Sequence, residues 1–269
     1  MPTLTAHQRP RNNPQKITIS NTPNMSSITS LLTNPTSTEG AVLSASLASA
    51  IIYQTLVRSP PSWPRAIVKT LSTALLSLTS YLHSAPPLLV GALALGSLGD
   101  AFLAWDDDTC FLFGLGSFLV AHILYIVLFF QTEQGANNLS AKFYLLLTQS
   151  QARTWIAGGL AGTVPGLIRE LWPKVGRDLR WPVLVYSLTI YLMANLALTV
   201  ESGKVVVGAV MFTASDSILA AGKFLLPAAV AGEPEKKAEY RALQAVMQHA
   251  VWILYYGGQL LIALGFMSV

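Results

Sequence analysis

The chain has 269 residues, 52% of them hydrophobic and only 11% charged, against about 25% charged in an ordinary soluble domain. With a mean hydropathy of +0.49, that composition excludes most soluble folds, and also a disordered or coiled-coil chain, which needs charge to stay solvated or paired. A formal net charge of +4 in a soluble domain would suggest nucleic acid. Here the Lys and Arg residues stand between apolar runs and report orientation against a bilayer, so nucleic-acid binding is rejected.

Residues 1–38 are rich in Thr, Ser, Asn and Pro, hold Arg9, Arg11 and Lys16, and carry no acid. They lack the apolar run of a secretory signal, and their prolines oppose the amphipathic helix of a transit peptide, so a disordered polar tail is expected there. From residue 39 onward the chain reads as one all-α membrane domain, 39–269. Eight apolar stretches approach the ~20 residues that cross a hydrocarbon core as helix. They cover 40–57, 66–84, 87–105, 111–131, 153–170, 182–201, 204–222 and 243–267. Pro86-Pro87 splits the second from the third, because proline lacks a donor and disfavours helix just before it. In the fifth, Gly158, Gly162 and Gly166 recur every fourth residue, a small-residue stripe suited to close helix packing or to association of two copies. The one cysteine, Cys110, can form neither an intrachain disulfide nor a thiolate metal site and is read as a packing residue.

Orientation follows from Lys/Arg counting. Ten basic residues lie on the side of the loops after spans one, three, five and seven, and six lie on the other, with Lys69 set aside inside a span. The ten-residue side is assigned to the cytosol and both termini to the opposite face. The expected location is a multi-pass position in an endomembrane, with the organelle unspecified.

A carboxylate at mid-membrane costs roughly 2.5–3.5 kcal/mol on insertion scales, so Asp100 and Asp216 need a reason. Each stands about twelve residues into a span of the same direction, and Lys69 enters its span from the same face. Three ionisable groups in one layer suit a buried site built from separate helices, or an ion pair that orients them. Asp100-Ala-Phe-Leu-Ala echoes Asp216-Ser-Ile-Leu-Ala, and each is followed by a helix bearing His122 and Tyr125 or His249 and Trp252. A parallel duplication and chance similarity among apolar helices both account for that echo.

Neutral polar residues recur at helical spacing: Ser187, Tyr191, Asn195 and Thr199 in span six, Tyr255 and Gln259 in span eight, His122 and Tyr125 in span four. Ala92, Gly96 and Asp100 form a small stripe along which another helix can approach the carboxylate. Asp106-Asp107-Asp108 reads as a solvated turn, and Trp63, Trp172 and Trp181 at span ends read as an interfacial belt. GxSxG, Walker, HExxH and CxxC motifs are all missing, which removes the usual support for serine-hydrolase, nucleotide and zinc-protease readings.

The ordered segments KTLSTALL at 69–76, LGSLGDAFL at 95–103, FLFGLGSFLVAHILYI at 111–126, SDSILA at 215–220 and YYGGQLLIALG at 255–265 resemble the YhhN family, which includes the animal lysoplasmalogenases also called TMEM86. The resemblance spans roughly residues 40–267 and implies eight membrane helices. It also implies an integral membrane enzyme that cleaves the vinyl ether of lysoplasmalogens to a fatty aldehyde and a glycerophosphodiester. By matching position, it implies Asp100 and Asp216 as catalytic. Lys69, His122, Tyr125, Tyr255 and Gln259, together with Tyr191 and Asn195 of the span-six polar stripe, become candidate substrate-binding residues. Lys69 departs from the family pattern, being followed by Thr70 where proline is usual. No cofactor and no metal site are expected. Rival readings are a transporter or proton-coupled channel, since intramembrane Asp and His also make proton relays, and a metal-dependent lipid amidase using His122 and the aspartates.

Overall fold

In a computed structural model the described residues are 37–132, 138–148, 150–227 and 237–267. Nearly all are helical. The helices are α1 (Thr38–Leu56), α2 (Trp63–Leu82), α3 (Pro87–Phe102), α4 (Asp108–Gln131), α5 (Leu139–Thr148), α6 (Gln151–Leu171), α7 (Arg177–Ala197), α8 (Gly203–Ala220) and α9 (Lys237–Met267), and α8 runs on through a π turn at Ala221–Leu225. Each of the eight expected spans overlaps one of these helices, and the short α5 is additional. Residues 1–36 of the expected tail and residues 228–236 lie outside the described residues.

Local chemistry explains the boundaries. Ser37 caps α1 by accepting from Gly40 N, and Asp107 caps α4 by accepting from Cys110 N, each satisfying an amide that the first turn leaves open. That amide hydrogen bond holds the Asp107 carboxyl below its ordinary range. Two of the three consecutive acids are thus engaged, since Asp108 also pairs with Lys223 at 3.4 Å. Between α2 and α3, Ser84 takes a left-handed backbone (φ 54°) ahead of the Pro86-Pro87 break.

Helices α1 to α4 pack each on the next, α8 and α9 form the tightest pair, α9 closes against α2, and α4 meets α7. One apolar core joins α1, α2, α3, α4, α7, α8 and α9. At the α8–α9 crossing a Cβ on Gly208 would lie 2.6 Å from Gly258 O, and one on Gly258 2.7 Å from Gly208 O. Backbone therefore meets backbone there, as membrane helices do at small residues. The Gly158, Gly162 and Gly166 stripe of α6 differs: a Cβ at any of the three meets nothing within 4 Å. Helix α6 lies at the periphery, with only Val164 and Leu171 buried.

By length and composition α4, α8 with its π turn, and α9 can each cross a membrane, and α3 is a shorter apolar helix.

Candidate active site

The polar stripe of α2 faces the interior. Lys69, Ser72, Thr73, Ser77 and Ser80 are all buried, and Thr73, one turn after Lys69, shares its side of the helix. Asp100, near the end of α3 and 1% exposed, receives both. Lys69 Nζ stands 3.5 Å from Asp100 Oδ1, and the Thr73 hydroxyl donates to Oδ2 at 2.9 Å. From α9 the Tyr255 hydroxyl donates to the same oxygen at 2.7 Å. Two helices, α2 and α9, thus supply one cation and two hydroxyls to the carboxylate of a third, the compensation a buried charge requires.

The small stripe on α3 makes this approach feasible. A Cβ on Gly96 would lie 3.1 Å from Gln259 Nε2 and 3.3 Å from Tyr255 OH, so a larger residue would push α9 off the carboxylate. One turn beyond Tyr255, Gln259 Oε1 accepts from the Tyr125 hydroxyl of α4 at 2.5 Å.

Asp216 has a separate set of partners. Tyr186 of α7 donates its hydroxyl to Asp216 Oδ2. His122 of α4 places Nε2 3.0 Å from that hydroxyl and 3.5 Å from Asp216 Oδ2. His122 is fully buried, whereas the Asp216 side chain is 13% exposed. Behind Asp216, α8 switches to π geometry at Ala221–Leu225, a distortion frequent at functional sites.

The two networks meet on aromatic rings. Phe212 lies 4.8 Å from the His122 ring and 5.4 Å from the Tyr255 ring, centroid to centroid, and Phe118 lies 5.6 Å from Tyr255. One phenylalanine therefore touches a partner of each carboxylate. Gln259 Nε2 and His122 Nδ1 are buried with no hydrogen-bond partner among the described residues, and unsatisfied buried polar atoms mark where a polar ligand or water can be received.

Among the sequence candidates, Lys69, Asp100 and Tyr255 are brought into direct contact. So are Tyr125 with Gln259, and His122 with Asp216. Among the described residues the ion pair of Lys69 is with Asp100. Tyr191 and Asn195 join neither network: Asn195 Nδ2 donates to the Tyr191 carbonyl of its own helix, as Ser187 does to Val183 O. The His249 of the sequence echo meets Gln54 of α1, whose Nε2 stands 2.9 Å from Nδ1, so the two echo segments do not build equivalent sites. Two participants escaped the sequence reading. Thr73 was legible as a polar residue at i+4 from Lys69. Tyr186 falls one position before the polar stripe of its helix, on the side that also buries Ile190 and Met193. Among the described residues no three of His, Cys, Asp and Glu gather as a metal ligand set would.

Fold and site together define an all-helical integral membrane protein with ionisable groups held in its interior. The chain belongs to the YhhN family, which matches it over residues 64–266. It is similar to the lysoplasmalogenase of Mycobacterium tuberculosis, 31% identical over 182 residues that make up 66% of this chain and 59% of that protein. It is also similar to mouse lysoplasmalogenase TMEM86B, 31% identical over 171 residues (61% of this chain, 66% of the relative), and to bovine lysoplasmalogenase TMEM86A, 29% identical over 229 residues (78% and 80%). The chain thus spans about three-fifths of the mycobacterial relative's length. No solved structure matches it.

Proposed function

We propose that the protein is a membrane hydrolase that cleaves the vinyl ether of lysoplasmalogens, as the names of its relatives suggest. The observation that carries this reading is the pair of buried carboxylate networks joined across Phe212.

A vinyl ether hydrolyses when its β-carbon is protonated, which leaves an oxocarbenium ion. Water adds to that cation, and the hemiacetal collapses to an aldehyde and the glycerol alcohol. The reaction therefore needs a proton donor and a fixed negative charge, the division of labour seen in paired-carboxylate glycosidases. Asp100, paired with Lys69 and fixed by two hydroxyls, supplies the standing charge that stabilises the cation or orients water. Asp216 has no Lys or Arg partner among the described residues; it accepts from the Tyr186 hydroxyl and faces His122 Nε2 at 3.5 Å, and it is the proton-donating group. The orphaned Gln259 Nε2 is placed to bind a substrate oxygen. A lateral cleft of about 520 Å³, lined in part by Thr163, Leu167, Ser217, Ile218, Val246 and Met247, offers an apolar berth for the alkenyl chain next to the Asp216 segment.

The same reading carries eight membrane crossings, both termini opposite the more basic face, an endomembrane location, and self-association through the open Gly158, Gly162 and Gly166 face of α6. The decisive experiment incubates detergent-purified protein with an alkenyl lysophospholipid and measures aldehyde and glycerophosphodiester together. Equal release of both, abolished by Asp216→Asn, is the expected result, and aldehyde release unaffected by that substitution would overturn the assignment. Insensitivity to EDTA separates this mechanism from a metal-dependent amidase.

A further inference from the structure

One half-buried cation takes no part in the chemistry above. Arg65 lies a turn before Lys69 on α2. Its Nη1 donates to Ala104 O at 3.0 Å, and among the described residues its Nε is buried with no partner and no carboxylate pairs with it. A guanidinium is permanently charged and forked, so an orphaned buried N–H on it calls for an anionic acceptor. Arg65 Cζ lies 6.0 Å from the centre of the Tyr53 ring, and Lys69 Nζ lies 5.9 Å from the same centre. Two cations thus share one ring, and only the one already bonded to Asp100 has its counter-charge.

Depth points to the anion. Trp63, 73% exposed, stands two residues before Arg65. Trp105 directly follows the carbonyl that Arg65 bonds, and the two indoles contact each other edge to face at 5.1 Å. Tryptophans gather where the bilayer meets water, which sets Arg65 at the level of lipid phosphates. Along α2, residues one turn apart are separated by about 5–6 Å. The three-carbon glycerol backbone sets a comparable spacing between a lysophospholipid's phosphate and its ether oxygen.

Resting on the reaction proposed above, we infer that Arg65 binds the phosphodiester of the substrate. The glycerol backbone then lies along one turn of α2, with the vinyl ether delivered to Asp100. A phosphate from bulk lipid would satisfy the same chemistry, and the test separates the two sources.

The full chain in a phosphate-free detergent, as wild type, R65Q and R65K, is given an alkenyl-glycerophosphoethanolamine and the matching alkenylglycerol, and kcat/KM is measured for each. The wild type should prefer the phosphorylated substrate by about tenfold or more, mostly through KM. R65Q should bring that ratio close to one, and R65K, which keeps the charge without the fork, should fall between. An unchanged ratio in R65Q, or in R65K should R65Q fail to fold, overturns the proposal. Parallel loss of both substrates that added phosphatidylcholine restores would assign Arg65 to bulk lipid instead and also overturns it. A binding arm uses a saturated alkyl-ether lysophospholipid, which cannot react. It should raise the melting temperature of wild type more than of R65Q, and equal protection refutes the site. Should wild type release no aldehyde from either vinyl ether, the proposed reaction fails and the binding arm alone decides the role of Arg65.

Discussion

The Lys69–Asp100 pair gives a test whose size follows from its burial. Lys69 is 8% and Asp100 1% exposed, and the carboxylate also holds the Thr73 and Tyr255 hydroxyls. Asp100→Asn removes the counter-charge and leaves a buried ammonium facing an amide. Breaking one side of such a pair costs about 3–5 kcal/mol, which for a chain of this size lowers the melting temperature by roughly 6–20 °C. Asparagine keeps the shape of the side chain, and the ammonium 3.5 Å away is why the substitution is still costly. In the double variant K69M/D100N the new amide oxygen still accepts both hydroxyls and no cation opposes its NH₂. Stability should therefore return to within about 1–2 kcal/mol of wild type, because replacing a buried pair as a unit is close to neutral. Thermal unfolding of the four proteins in detergent, followed by tryptophan fluorescence, measures the cycle. A coupling of about 2 kcal/mol or more is expected. Losses that add within about 0.5 kcal/mol, as for independent sites, would refute a buried ion pair.

Five further outcomes are expected. Asp216→Asn, which retains an acceptor for Tyr186, should cost about 10²–10⁴-fold in aldehyde release with little change in melting temperature. Combining it with Asp100→Asn should cost little more activity than either alone, since residues acting as a unit are non-additive. Gly96→Val should displace Tyr255 and Gln259 and lower both stability, by about 1–3 kcal/mol, and turnover, with Gly96→Ala milder on both counts. Gly208→Leu, set against the Gly258 carbonyl at 2.6 Å, should destabilise the α8–α9 crossing more than Gly158→Leu on open α6, as paired melting curves would show. In a Cys110→Ala background, probes at S30C and E235C should label from opposite faces of the membrane, and labelling from one face would refute the proposed topology.

Most of the fold was legible because apolar length and proline position are local properties. The eight stretches and the Pro86-Pro87 break translate directly into helices. The site was legible where a residue type is costly in lipid, as for Lys69, Asp100 and Asp216. It was obscured where polarity has a cheap local solution. The span-six stripe drew attention to Tyr191 and Asn195, but short polar side chains return bonds to their own helix, while Tyr186, an aromatic on the buried side, reaches Asp216. The glycine stripe of α6 misled about close packing for a related reason: spacing identifies a smooth face without saying what covers it. The reciprocal Gly208–Gly258 contact depends on two helices meeting and has no signature in either one alone.

In the proposed mechanism two separately held carboxylates divide vinyl ether hydrolysis between proton donation and charge stabilisation. The most direct measurement is single-turnover aldehyde release by purified wild type and Asp216→Asn, run in H₂O and D₂O. Wild type should release aldehyde and glycerophosphodiester in equal amounts, with a solvent isotope effect on the first step and one solvent deuterium at the aldehyde α-carbon, and Asp216→Asn should release both about 10²–10⁴-fold more slowly. Wild-type cleavage that leaves no solvent hydrogen on that carbon, or unimpaired release by Asp216→Asn, would contradict it.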